Sequence, residues 1–332
     1  MEMEYRRLGR SGLKLSALSL GSWVTFSFQV DRAAAVELMK LAYDRGVNFF
    51  DNAEVYADGE SETIMGEALR DLGWPRDTWC VSSKVYWGGK LPTQRGLHRK
   101  HVREACDAAL RRLGVDYLDL FFCHRPDLDT PVEETVRAMH DLVTQGKVLY
   151  WGTSEWSARR IQEAWGIARQ HGLTPPSMEQ PQYHMLHRER MEREYAALFR
   201  EIGLGTTTWS PLASGVLTGK YAGGVPEGSR MALPQYDWLR KDLIDSEAGR
   251  EMVRKAGEIA ALAGDLGISP AQLAIAWCLK NPTVSTVILG ASRPDQLKEN
   301  LEAAGKVVAL DDEVMRRIEE VLRNRPEPPR RW

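Results

Sequence analysis

Four side chains in this 332-residue chain suit proton transfer to oxygen by type and spacing: Asp51, Tyr56, Lys84 and His124. Asn48-Phe49-Phe50 reads as a buried strand running into Asp51, and the Tyr56 phenol follows in a turn-like segment. Lys84 closes the run from Trp79, and His124 closes the run from Tyr117, so each is a polar group at the end of an apolar strand. A phenol ordinarily titrates near 10, and a neighbouring ammonium stabilises the phenolate and lowers that value. Lys84 suits the part of the ammonium, Asp51 would keep it charged and aimed, and His124 would donate to or orient a substrate oxygen. No nucleophile is evident. Such a set protonates an oxygen that becomes an alkoxide, as in carbonyl reduction, and the hydride then has to come from a cofactor. Taken singly, each residue also suits an ordinary structural part, as a loop-fixing carboxylate, a packed phenol, a solvated lysine or a histidine satisfying a backbone group. Placement at successive strand ends is what favours chemistry.

The elements that must position these groups form a regular series. Tyr5–Leu8 and Leu13–Ser16 flank Gly9-Arg10-Ser11-Gly12, a hairpin suited to closing the bottom of a barrel. Strands follow at Leu18–Gly21, 48–53, 79–84, 117–124, Val148–Ser154, Met178–Gln180, 206–209 and Thr286–Leu289. Between them lie helices over about 31–45, 61–73, 97–113, 132–145, 157–170, 189–202 and 245–266, with Ser269-Pro270 opening another. This alternation, without a composition break, predicts a single (β/α)8 TIM barrel over residues 1–332, in which catalytic groups gather at the carboxyl ends of the strands. A doubly wound open sheet is the alternative, weakened by the lack of a GxGxxG after the first strand. Two stretches stand apart: a long Gly-, Pro- and Arg-rich loop over about 213–241, and a tail from about 325 to 332.

Composition excludes several classes. A formal net charge of −2 offers no basic surplus for nucleic acid or anionic membrane. No run of about 20 apolar residues occurs, and the segment from Met1 to Arg7 is too polar for a signal peptide, so a cytoplasmic protein without membrane insertion is expected. The 4 cysteines lack CxxC spacing and read as packed, reduced thiols. His184 and His187 have helix-like spacing but no carboxylate pair beside them, so no metal site is expected. With 11 tryptophans in the chain, Trp23, Trp87 and Trp156, each after a strand, are candidates for an aromatic substrate rim, with packing as the equal alternative. Gly290-Ala291-Ser292 before a helix is either a phosphate seat or a plain loop with a capping serine.

Asp51-Asn52-Ala53-Glu54-Val55-Tyr56, Ser83-Lys84, Asp116-Tyr117-Leu118-Asp119-Leu120 and His124-Arg125-Pro126-Asp127, in this order, resemble the aldo-keto reductase superfamily, and the resemblance runs from Arg7 to Asn300. Gly21-Ser22-Trp23-Val24-Thr25-Phe26, Trp151-Gly152-Thr153-Ser154, Tyr183-His184-Met185-Leu186 and Trp209-Ser210-Pro211-Leu212 are similar to the branch that holds the potassium-channel beta subunits and their bacterial relatives. The resemblance implies NADP(H) as cofactor, a small carbonyl substrate and a catalytic tetrad of Asp51, Tyr56, Lys84 and His124, with Tyr56 as the acid. It implies that Trp23, Ser154 and Gln180 hold the nicotinamide end, and that Trp209, Ser210, Pro211, Leu212 and Ser214 line the pyrophosphate. Lys220 and Arg230 would reach the phosphates from the long loop, making it a cover for the cofactor. Gly290, Ser292, Gln296, Glu299 and Asn300 would take the adenosine end. Relatives in this branch often form tetramers or larger rings, so a homo-oligomer is an implied possibility. His124 stands where the channel subunits carry asparagine, which favours a working reductase, and Glu155 stands where they carry arginine. The rival reading is a nucleotide-binding, redox-sensing accessory subunit of a membrane channel or transporter with little turnover. A barrel hydrolase or isomerase without nicotinamide is the third.

Overall fold

The computed structural model describes residues 2–23, 25–26 and 29–327. Val24 of the Gly21–Phe26 motif and residues 328–332 of the expected tail lie outside the described residues. The chain falls into two compact units. The first holds the chain up to Pro181 together with Glu194–Trp209 and Thr283–Leu301, and the second holds Gln182–Arg193, Ser210–Pro282 and the chain from Glu302 onward.

The first unit opens with an antiparallel hairpin of β1 (Tyr5–Arg7) and β2 (Lys14–Ser16). Eight strands then close into a parallel barrel: β3 (Leu18–Gly21), β4 (Phe49–Asp51), β5 (Cys80–Val85), β6 (Leu118–Cys123), β7 (Val148–Ser154), β8 (Met178–Gln180), β9 (Gly205–Thr208) and β10 (Thr286–Leu289). Neighbours in sequence are neighbours in the barrel, and β10 returns to pair with β3, as the alternation of strand and helix signals predicts. β6 is buried along its whole length, as expected of a strand covered on both faces. Leu8 and Leu15 of the hairpin pack with Phe49, Cys80, Leu120, Phe122 and Met178, so the hairpin plugs the end of the barrel where the strands begin. Gly9 is required there. Its φ is +56°, and a Cβ would lie 2.3 Å from the Gly203 carbonyl oxygen.

Helices α1 (Arg32–Asp44), α2 (Glu60–Leu72), α3 (Arg99–Leu113), α4 (Val132–Thr144) and α5 (Ala158–Gln170) follow successive strands. The Asp31 carboxylate accepts from the Ala34 amide at 2.9 Å and starts α1, and Ser157 caps α5 in the same way. The single helix expected over 189–202 is instead a wide, π-type turn, Arg190–Glu194, followed by a short α6 (Ala196–Glu201). In the second unit the expected long loop is built from short pieces. Tight turns at Ala213–Thr218, Arg230–Ala232 and Pro234–Tyr236 lead into α7 (Asp237–Arg240) and a wide turn at Lys241–Asp245. Then come α8 (Glu247–Asp265) and α9 (Pro270–Lys280). Next comes α10 (Pro294–Glu302), in the first unit but for its last residue, and α11 (Asp312–Leu322), a helix that the sequence reading does not address, lies in the second. His184 and His187 exchange backbone hydrogen bonds in a tight turn, so their spacing is that of a turn and not of a helix. Among the described residues no single helix is long and apolar enough to cross a membrane.

Candidate active site

Strand periodicity assembles the centre of the site. Alternate residues of β5 face opposite ways, so Ser82 and Lys84 point together toward Asp51 at the end of β4, while Ser83 points out to Glu62 on α2. The Lys84 ammonium is fully buried at 0% exposure, and all three of its protons are engaged: Asp51 Oδ2 at 2.6 Å, the Asn52 carbonyl at 2.7 Å and the Tyr56 hydroxyl oxygen at 3.2 Å. Asp51, 3% exposed, is filled on its other oxygen by the Ser82 hydroxyl at 2.8 Å and the Gln180 side-chain amide at 3.0 Å. Such a pair, closed off by further hydrogen bonds, meets the condition under which a buried ion pair persists.

Tyr56 reaches this pair from a strained turn. Ala57, Asp58 and Gly59 have φ of +50°, +52° and +91°, a left-handed run that costs energy at the two non-glycine positions. Gly59 admits the Arg112 side chain against its backbone, where a Cβ would lie 2.9 Å from Nε. Arg112 and Ser83 both bind Glu62, so β5, α2 and α3 together brace the turn. His124 follows β6, its amide held by the Val85 carbonyl, and its ring centroid lies 5.8 Å from that of Tyr56 in an edge-on pose.

The charge states differ from those expected of a phenol beside an ammonium. Burial first, and the Asp51 carboxylate second, push the Tyr56 phenol well above 10, with Arg125 opposing. The reason is geometric: Asp51 compensates Lys84 at 2.6 Å, so the ammonium presents little net charge to the resting phenol. Tyr56 therefore keeps its proton. Lys84 donates to the phenol oxygen, which leaves the phenolic proton to point elsewhere. Burial also pulls Lys84 below its ordinary 10.5, opposed by Asp51. His124 is driven well below 6.5 by burial and by the nearby Lys84 and Arg125, so its imidazole is neutral. Its Nδ1 is buried without a hydrogen-bond partner among the described residues.

Of the residues expected at the nicotinamide end, Ser154 closes β7 and Gln180 closes β8, paired in register. The Ser154 hydroxyl donates to the Gln180 carbonyl at 2.9 Å, and the Gln180 amide nitrogen is committed to Asp51 and Thr207. Trp23 meets Trp209 edge-on at 6.1 Å between ring centroids, and Trp209 Nε1 donates to Glu155, a residue held at φ +59°. At the end of β10, the Ser292 amide donates to Gln296 Oε1 at 3.2 Å. Asn300, 2% exposed on α10, has a buried amide nitrogen without a partner among the described residues. In the second unit, Ser210 and Ser214 both adopt left-handed backbone, and the Ser214 amide donates to the Ser210 hydroxyl; Pro211 and Leu212 lie between them. Lys220 sits over the Tyr221 ring at 5.1 Å, and burial lowers Arg230. Of the three tryptophans expected on the rim, Trp87 lies 5.2 Å from the His124 ring centroid. Trp156 is a correction: it is 1% exposed, and its carbonyl accepts from the buried Tyr195, which makes it a packing residue.

Sequence reasoning passes over several residues that the geometry brings in. Ser82 shares the parity of Lys84 on β5, a signal present in the sequence. Asn52 and Thr207 carry no comparable signal, because a backbone carbonyl and a strand hydroxyl become partners only on closure. Glu54 accepts from the Tyr86 amide at 2.6 Å and faces His101 Nε2 at 3.4 Å, so the site motif also ties down the loop carrying Trp87.

A closed parallel barrel with a buried Asp51–Lys84–Tyr56 cluster at the carboxyl ends of its strands has the frame of a barrel enzyme, and the family it matches makes the class oxidoreductase. The chain belongs to the aldo/keto reductase family, whose model matches residues 17–323. It is 49% identical to a probable voltage-gated potassium channel subunit beta of Arabidopsis thaliana over 328 residues, covering 98% of this chain and 99% of that protein. It is 51% identical to a protein of the same description from Oryza sativa subsp. japonica over 325 residues, covering 98% of each.

Proposed function

We propose that this protein is an NADP(H)-dependent reductase of aldehydes and ketones, with Tyr56 as the proton donor. The observation that carries the reading is the buried chain Asp51–Lys84–Tyr56, in which the ammonium already donates to the phenol oxygen at 3.2 Å. A bound dihydronicotinamide would supply the hydride, which no protein side chain can. Tyr56 gives its proton to the carbonyl oxygen as that oxygen gains charge, and the phenolate left behind is stabilised by Lys84 in place. His124, neutral, orients the same oxygen, and Gln180 steadies Asp51. The residues present fit such a cofactor: the unpartnered Asn300 amide is a donor awaiting an acceptor where the adenine would lie. Trp23, Ser154, Gln180, Trp209, Gly290, Ser292, Gln296, Glu299 and Asn300 of the first unit are the residues that would hold it. Ser210, Pro211, Leu212, Ser214, Lys220 and Arg230 are assigned from sequence similarity. Preference for the 2′-phosphate rests on Lys220, Arg230, Ser292 and Gln296.

Positioned acid catalysis contributes about 10²- to 10⁴-fold. Tyr56→Phe is expected to lower kcat by at least about 10²-fold, with NADPH affinity, read by nucleotide fluorescence, nearly intact. Turnover retained in that variant removes Tyr56 from the role.

The descriptions of the plant relatives support a second reading, an accessory subunit that docks on a membrane channel. Co-purification with a channel protein, together with negligible turnover across an aldehyde panel, would favour it over the reductase.

A further inference from the structure

A pocket of about 810 Å³ opens among the loops that follow β5 and β6 and the start of α4, all within the first unit. Trp87 and Arg125 line it, and both reach the catalytic groups. The Trp87 ring lies edge-on to His124 at 5.2 Å, and His124 lies 5.8 Å from Tyr56, so the pocket adjoins the proton donor. The Arg125 guanidinium carbon lies 5.4 Å from the Trp87 ring centroid, and Nη1 donates to the His124 carbonyl at 2.6 Å and more weakly to Ser154 Oγ at 3.4 Å. No carboxylate pairs with Arg125 among the described residues, unlike Arg112 on Glu62 or Arg76 on Asp119. The carboxylates in the pocket wall face other donors. Asp127 accepts from the Leu97 and Asp129 amides and from the Thr130 hydroxyl, and Glu134 accepts from the Arg99 amide. Asp129, at the exposed edge, is the remaining acidic residue of the lining. Arg125 is thus a half-buried cation with a planar fork of donors, of which one nitrogen is committed. It stands on an aromatic wall beside the acid. That is the geometry that receives a carboxylate in two parallel hydrogen bonds.

We propose that Arg125 reads an anionic tail, so that the favoured substrates are carbonyl compounds bearing a carboxylate, aldehyde acids and oxo acids, with the carbonyl at Tyr56 and the carboxylate in this pocket. The proposal rests on the reductase reading and narrows it to a substrate class. Arg125 acts in it as a specificity residue and takes no part in the proton transfer.

The test compares 4-carboxybenzaldehyde with its neutral methyl ester under saturating NADPH, in the wild type, Arg125→Met and Arg125→Lys. The wild type is expected to prefer the carboxylate by at least about tenfold in kcat/KM, chiefly through KM, as a charge-assisted bidentate contact implies. Arg125→Met should bring that ratio to near one, and Arg125→Lys should retain part of it. A ratio near one in the wild type, or one that survives Arg125→Met, overturns the proposal while ester turnover leaves the reductase reading standing. If neither aldehyde is reduced, the reductase reading fails, and Arg125 is then judged by binding alone. Quenching of tryptophan fluorescence by 4-(hydroxymethyl)benzoate, absent with its methyl ester and lost in Arg125→Met, upholds the anion site. Equal quenching by both compounds overturns it.

Discussion

Asp51→Asn removes the carboxylate that is hydrogen-bonded to the buried Lys84 ammonium. The two charges stand 2.6 Å apart with both side chains nearly inaccessible to water. At that separation the attraction is about 6 kcal/mol for an effective dielectric of about 20, and desolvation of both ions offsets much of it. Removing one partner of such a pair costs about 3–5 kcal/mol, because the survivor is left charged and buried. The asparagine oxygen can still accept from Lys84, so the lower end of that range is expected. Lys84→Met should cost a similar amount, since it strands Asp51 and the Asn52 carbonyl. The double variant should be less destabilised than the sum of the two, by a coupling of at least about 1 kcal/mol. Denaturant unfolding of the three variants measures this. The dependence on pH has a definite sign. An unpaired Lys84 has its folded pKa depressed further below 10.5, so the unfolded chain binds more protons than the folded one, and stability rises with pH. The Asp51→Asn deficit should therefore narrow as pH is raised from about 7 toward 10. Strict additivity in the cycle, or a deficit that widens with pH, would refute the view that this pair is one electrostatic unit.

Two further expectations follow from named groups. His101 is nearly buried, with Nδ1 against the Gly96 carbonyl at 2.8 Å and Nε2 facing Glu54 at 3.4 Å. Burial opposes its charge, but Glu54 and Gly96 outweigh burial and hold its pKa above 6.5. The stabilisation is fully present below the unfolded pKa and is lost as pH rises through the folded one. The stability gap between wild type and His101→Gln should therefore shrink between about pH 6 and 9; a gap that is flat or grows in thermal unfolding counts against a charged His101. For Asn300→Ala, NADPH should bind about tenfold or more weakly, while the unfolding free energy changes by less than about 1 kcal/mol, because the amide lost has no protein partner among the described residues. An unchanged dissociation constant by fluorescence titration would take Asn300 out of the nucleotide site.

How much of the molecule is legible in its sequence depends on the range of the interaction. The eight strands, the hairpin and the barrel follow from local patterns of apolar runs, caps and turn residues. Each of these is set by neighbours in sequence, which is why the strand ends fall within a residue or two of the expected places. The placement of Asp51, Lys84 and His124 follows in turn, because a residue at the carboxyl end of a barrel strand has one mouth to face. The segment 189–202 departs from expectation because its periodicity is weak and packing decides the local conformation.

By itself, then, the sequence determined which groups stand at the mouth of the barrel, since strand parity and strand ends are local properties. The protonation states belong to the tertiary structure. Whether Lys84 acidifies Tyr56 depends on how closely Asp51 neutralises it, and that distance, like the burial that keeps the phenol protonated and His124 neutral, comes into being when strands far apart in the chain close on one another. The same holds for Trp156, carried into the core by Tyr195, and for Arg125, left without a carboxylate among the described residues because those near it bind other donors. Charge and burial are sums over neighbours distant in the chain, and only the fold says who those neighbours are.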